Sequence, residues 1–220
     1  HSSLFQAVTK LSASVIMPEQ LSHLLRYAFR LAVSGAPRPV HLNVTPHTGA
    51  ITEKMELFEE AFTEDRYKTM PPFRPVPEME DINAAALLIN KAKRPVIVAG
   101  NGVNISDAGA QLTAFAERAG LPTATSVDGK GSIVETHPLA LGPVGGYSRS
   151  CVNTVVDAAD LVIFIGTSVG DQVTNDWTLP KPGTDIIQID ISAEQLGKNY
   201  STKASILGDA RQCLRMLTEA

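Results

Sequence analysis

Apolar residues recur at helical spacing over residues 18 to 34, PEQLSHLLRYAFRLAVS, which sets Leu21, Leu24, Leu25, Ala28 and Leu31 on one face. Pro18 near the first turn and Gly35 just past the last mark the two ends of an amphipathic helix. After the turn GAPRP, the run VHLNV at 40–44 alternates and predicts a strand, closed by Pro46. From Thr48 to about Pro77 the regularity fades. Prolines crowd into MPPFRPVPEME, where they disfavour helix and ladder bonding, so residues 48–78 read as an extended linker.

Beyond the linker the elements alternate. A helix over 79–92 leads into a strand at 95–99, one over 106–119 into a strand at 122–126, and one over 148–158 into the strand DLVIFI at 160–165. The strand DIIQID at 185–190 precedes a short helix near 193–197, a short strand at 204–207 and a last helix over 209–219. Strands of near-continuous Val, Ile and Phe suit a parallel sheet with helices on both faces, since neither side of such a strand meets water. The second part of the chain is therefore expected to be a doubly wound α/β domain, with the helix and strand of 18–44 as an N-terminal appendage. No internal repeat interrupts this order.

Composition narrows the function without naming it. The chain has 220 residues, 44% hydrophobic and 19% charged, with a net charge of -4, which argues against binding a nucleic-acid backbone. The two cysteines, Cys151 and Cys213, are far apart and form no C-x-x-C, so neither zinc nor a disulfide framework is indicated; both are expected to be buried. No apolar run approaches membrane-spanning length, HSSLFQAVTK does not read as a leader, and a cytoplasmic location is expected.

Four loops follow predicted strands: G-N-G-V-N at 100–104, S-V-D-G-K-G at 126–131, G-T-S-V-G-D at 166–171 and the corner at 190–192. In a doubly wound sheet all four lie along the carboxyl edge, where ligands settle. Glycines there let backbone approach a flat or phosphorylated ligand, with the N–H groups of Gly100 and Gly102 as donors and Asp190 accepting from ribose hydroxyls. They serve equally as tight turns, with Asp190 capping the helix after it, and spacing alone leaves both open. On the ligand reading, Gly102→Val abolishes binding and spares the fold. His23, His41 and His137 have no partner at metal or triad spacing, Ser168 does not sit in a G-x-S-x-G elbow, and Trp177 reads as a packing anchor.

The run ADLVIFIGTSVGDQVTNDWTLPKPGTDIIQIDISAEQLGKNY, followed by ASILGDARQCLRML, resembles the central domain of thiamine diphosphate-dependent enzymes, the group of acetolactate synthase, glyoxylate carboligase and benzoylformate decarboxylase. RPVIVAGNGV, AGLPTATSVDGKG and ETHPLALGPVGG resemble that domain's earlier motifs in the same order. The resemblance implies a Rossmann-like, DHS-like NAD/FAD-binding fold over 79–220, and makes 1–47 similar to the closing part of the family's pyrimidine-binding domain. It implies thiamine diphosphate and magnesium in the parent enzyme, held by a G-D-G segment and an activating glutamate that this chain does not show. The chain alone is then inactive, a fragment whose partners are the missing domains of the parent and further copies of itself in a homo-oligomer.

In the acetolactate synthase branch the resemblance implies FAD in this domain, and in the oxalyl-CoA decarboxylase branch ADP. Carried over by motif, the cofactor contacts fall on Gly100, Asn101, Gly102, Ser126, Val127, Asp128, Gly142, Gly166, Thr167, Ser168, Asp190, Ile191 and Asp209. The flavin branch has two arginines where this chain has Ser168 and Gln172, which favours ADP over FAD, and a purely structural role remains open beside both. The alternative is a stand-alone nucleotide- or flavin-binding module of the same fold.

Overall fold

The computed structural model describes residues 2–44 and 64–220. The chain divides into two units that meet in sequence at Phe73 and Arg74. In the first, α1 (Ser2–Gln6) leads into β1 (Ser12–Val15), α2 (Gln20–Val33) and β2 (His41–Val44), and β1 and β2 pair in parallel. The appendage is thus a complete β-α-β turn and not only the expected helix and strand. SASV is too short and small to announce a strand, which is why β1 is not legible in the sequence. Within this unit a 3-10 turn at Asp65–Lys68 is joined to α2 by Glu64, which pairs with Arg26 and Arg30, and by Tyr67 beneath the Arg30 guanidinium. Of the expected linker, 48–63 lies outside the described residues.

The second unit contains α3 (Met79–Lys91), β3 (Pro95–Ala99), α4 (Asn101–Ile105), α5 (Gly109–Ala119), β4 (Thr123–Thr125) and β5 (Ala140–Pro143). It continues with α6 (Ser150–Asp157), β6 (Leu161–Ile165), β7 (Asp185–Asp190), β8 (Ala204–Leu207) and α7 (Ala210–Glu219). Six strands form one parallel sheet in the order β5-β4-β3-β6-β7-β8. The chain starts in the middle, winds to one side and returns to wind to the other, which is the doubly wound, Rossmann-like arrangement.

Register explains the two cores. Ile97, Ile163 and Ile187 are in line across β3, β6 and β7, and on that face they meet Ile82 and Ala85 of α3, Leu112 and Phe115 of α5, and Leu214 and Leu217 of α7. Val96, Val98, Val162, Phe164 and Ile186 point to the opposite face, covered by Val152 and Val156 of α6 together with Val169, Val173 and Leu179. Each of the buried Val, Leu, Ile and Phe side chains contributes about 1.5–3 kcal/mol by leaving water.

Several expected elements shift, for identifiable reasons. The helix expected over 106–119 begins at Gly109, because Asp107 takes a left-handed φ of 48° and splits off α4. The short helix expected near 193–197 is instead a chain of turns. Buried Gln188 reaches it from β7, donating from Nε2 to the Gln195 carbonyl at 2.8 Å and accepting the Gly197 N–H at 2.9 Å. β5 was not expected, since ALGP carries neither alternation nor a β-branched residue. Residues 74–78, the end of the expected linker, pack into the second unit: Asp209 N–H donates to the Pro75 carbonyl at 2.9 Å. Cys213 is buried as expected, its thiol pushed up to about 12 by burial and by the Asp209 charge, whereas Cys151 is exposed, contrary to expectation, on the first turn of α6.

Candidate functional site

The sheet order reverses between β3 and β6, and in such folds the crevice beyond those two carboxyl ends is where ligands lie. Here the two loops meet. Gly100 N–H donates to the Ile165 carbonyl at 2.8 Å and Gly102 N–H to the Gly166 carbonyl at 2.9 Å. A Cβ on Gly102 would stand 2.7 Å from Gly166 Cα, and one on Gly100 would stand 2.3 Å from the Gly166 carbonyl oxygen. Gly166 itself has φ 60°, the left-handed turn that carries the chain out of β6. Gly129 approaches from the next loop, with room for a Cβ only 2.2 Å from the Ala99 carbonyl oxygen. These glycines are required for backbone to pack on backbone. The donor role expected of Gly100 and Gly102 is therefore corrected: both N–H groups are already spent inside the protein.

The remaining expected positions sort by access. Asn101, Val127, Asp128 and Ser168 are exposed along the edge, Gly142 and Ile191 are half-buried, and Thr167 is buried. Ser126 N–H continues the bonding from the Ala99 carbonyl at 2.8 Å, and its hydroxyl accepts Gly129 N–H at 2.9 Å. Asp190, at the end of β7, is 8% exposed and accepts the Ser192 N–H at 2.9 Å, so it closes a turn and not a helix. Burial raises its carboxyl above the ordinary value, and the N–H groups of Ser192 and Ile191 offset only part of that.

Asp209 differs. It is 1% exposed, caps α7 by accepting from the N–H groups of Arg211 and Gln212, receives the Ser106 hydroxyl at 2.6 Å and pairs with Arg74. Its carboxylate is occupied, so the expected cofactor contact at Asp209 does not run through that side chain.

Sequence reasoning missed the side chains that hold the edge in shape. Asn104 donates to the carbonyls of Asp128 and Lys130, and Asn199 donates to those of Ser168 and Val169, the latter buried with a left-handed φ of 49°. Asn153 both donates to the Gly145 carbonyl and accepts its N–H. Only local asparagine enrichment near loops could have hinted at these, because each partner is distant in sequence.

His41 stacks on Phe5 at 4.1 Å, and His137 meets Glu117 at 3.2 Å. Trp177 is half-exposed and stacks on Tyr200 at 6.3 Å, so it is only partly the expected packing anchor. Among the described residues no group of three or more His, Cys, Asp or Glu could hold a metal ion, and none of their helices is long and apolar enough to cross a membrane.

With this geometry in hand, comparison with known proteins decides the family. A model of the thiamine pyrophosphate enzyme central domain matches residues 82–217. The chain belongs to that family. Over 219 residues it is 36% identical to a probable acetolactate synthase large subunit of Methanocaldococcus jannaschii, covering 99% of this chain and 36% of the relative. It is 30% identical over 218 residues to the glyoxylate carboligase of Escherichia coli O157:H7, covering 99% of this chain and 36% of that one. Benzoylformate decarboxylase from Polynucleobacter necessarius superposes with a TM-score of 0.75 at 19% identity, covering 99% of this chain and 39% of that one, and so shares the fold. The chain thus spans about 36% of the length of these curated relatives, whose remaining segments have no counterpart within residues 1–220.

Two outcomes follow from the edge. Gly102→Ala is expected to lower stability by about 1–3 kcal/mol, since backbone and not a flexible side chain must yield, whereas Gly170→Ala, with nothing near its Cβ, should stay within about 0.5 kcal/mol of the parent. Denaturant unfolding checks both, and an unchanged Gly102→Ala midpoint contradicts the packing role.

Because the folded carboxyl of Asp190 lies above its ordinary 3.8, ionising it costs stability above the folded value, and that cost fades as pH falls through it and is gone below 3.8. Asp190→Asn, which keeps an acceptor for Ser192, is therefore expected to melt higher than the parent at pH 7, with the gap closing toward pH 4. A gap that widens on acidification refutes this.

Proposed function

We propose that this chain is the central-domain portion of an acetolactate synthase-like enzyme that joins or cleaves the bond beside the carbonyl of a 2-oxo acid. The supporting observation is the agreement with acetolactate synthase over 99% of the chain, spanning both units. Thiamine diphosphate supplies carbanion stabilisation in such enzymes. Among the described residues no group of three or more His, Cys, Asp or Glu could hold magnesium, so the metal and the thiamine diphosphate with it are assigned to other segments of the parent enzyme. The 220-residue chain is inactive alone, works with those segments in a cytoplasmic homo-oligomer, and contributes a rigid sheet.

The same portion carries an adenine-nucleotide site at its carboxyl edge. Its support is Asp190, a buried carboxylate only partly compensated by backbone N–H groups, a state that ribose hydroxyls relieve by donating to it. On this reading Asn101, Val127, Asp128 and Ser168, exposed along the edge, meet the ligand, with half-buried Ile191 and Gly142 and buried Thr167 beside them. Exposed Ser168 and Gln172 stand where the flavin branch has two arginines, and ADP, which has no need of that pair, is the favoured ligand.

Calorimetric titration of the chain tests this. ADP is expected to bind more tightly than about 1 mM, roughly -4 kcal/mol, and FAD no more tightly than ADP. If neither binds at that level, the edge is structural only. With pyruvate, thiamine diphosphate and magnesium, the chain alone is expected to form no acetolactate or acetaldehyde, and product above a protein-free blank overturns its assignment as an inactive portion.

A further inference from the structure

We infer that Arg74 is a latch that holds the carboxyl edge in register, and that releasing it opens α4 and the first turn of α7 together while the sheet stays folded. Arg74 is where the chain enters the second unit. Its Nη1 donates to the Ser106 carbonyl at 2.6 Å and hydroxyl at 2.9 Å, and lies 3.2 and 3.3 Å from the two oxygens of Asp209. Ser106 and Asp209 are 3% and 1% exposed, so this one guanidinium neutralises a carboxylate that water does not reach. Buried pairs of this kind are strongly sensitive to losing one partner, because the other charge is left without compensation.

Two hydrogen-bond routes lead from the latch to the edge. On one side Ser106 N–H donates to the Gly102 carbonyl at 3.0 Å, and Gly102 N–H to the Gly166 carbonyl at 2.9 Å, which reaches the meeting of the β3 and β6 loops. On the other, Pro75 accepts the Asp209 N–H at 2.9 Å, and the adjoining Gly208 N–H donates to the Asp190 carbonyl at 2.9 Å. Gly208 is also closed in by Pro77, whose Cδ would stand 3.2 Å from a Cβ there. The segment 74–77 therefore touches both ends of the edge at once. The sheet beneath depends on none of these bonds, since β6 and β7 are held by their own ladder and by apolar residues on both faces. Openings of this kind follow the weakest cooperative part of a fold. The latch acts whether or not a nucleotide binds, and so goes beyond the function proposed above.

Hydrogen exchange on the full chain, read by mass spectrometry, tests the latch in Arg74→Met, Asp209→Asn and the double variant. Amides in 101–107 and 208–213 are expected to exchange about tenfold or more faster, as for the loss of a charge-assisted bond, with β6 and β7 unchanged. The double variant should accelerate exchange by less than the two singles combined, because each single already removes the Arg74–Asp209 pair. Should Arg74→Met fail to fold, Arg74→Lys, which keeps the charge but not the fork, is expected to give a smaller acceleration in the same two stretches. Uniform acceleration across 74–220 in Arg74→Lys, unchanged exchange at 101–107, or additive effects in the double variant each overturn the latch.

Discussion

The architecture of this domain turns on a contact between two stretches of main chain. Neighbouring parallel strands lie about 4.8 Å apart, and at the point where the sheet changes direction the chain must leave β3 and β6 side by side. Gly102 and Gly166 face each other across that gap with no space for a side chain. The contact satisfies N–H groups that would otherwise be orphaned at the strand ends, a requirement for any buried backbone. On the function proposed above, a ligand at this edge lies over the outer sides of the loops, against Asn101, Val127, Asp128 and Ser168, and not between the glycines.

Two buried aspartates show how the same residue type can serve opposite ends. Asp209 is surrounded by donors: an arginine, a hydroxyl and two helix N–H groups. It is a structural charge, fully paid for by its neighbours. Asp190 has backbone N–H groups alone, and its raised carboxyl reflects the shortfall. A fold tolerates such an imbalance most readily where something else completes it, and of the two aspartates only Asp190 shows it.

Much of the sheet could be read in advance from runs such as LVIFI and DIIQID, whose side chains are buried on both faces as their composition requires. The cap at Asp209 was visible as an acid before a helix, but its partner Arg74 lies 135 residues away and left no local trace. β5 and β1 escaped because ALGP and SASV lack the bulk that marks a strand, and the turns at 193–197 resembled a helix because nothing local reveals that Gln188 claims their backbone. At G-N-G the sequence was ambiguous for a deeper reason. Close approach to a phosphate and close approach to another loop place the same demand on a residue, and only the position of Gly166 separates them.

That separation can be measured at two atoms. In nuclear magnetic resonance of the chain, the amide protons of Gly100 and Gly102 are expected to be protected from exchange to the level of the β3 and β6 ladder with no ligand present, and to keep that protection unchanged when ADP is added. Rapid exchange of both in the free chain, with protection gained only in the presence of ADP, would show that these N–H groups wait for a ligand and would contradict the account.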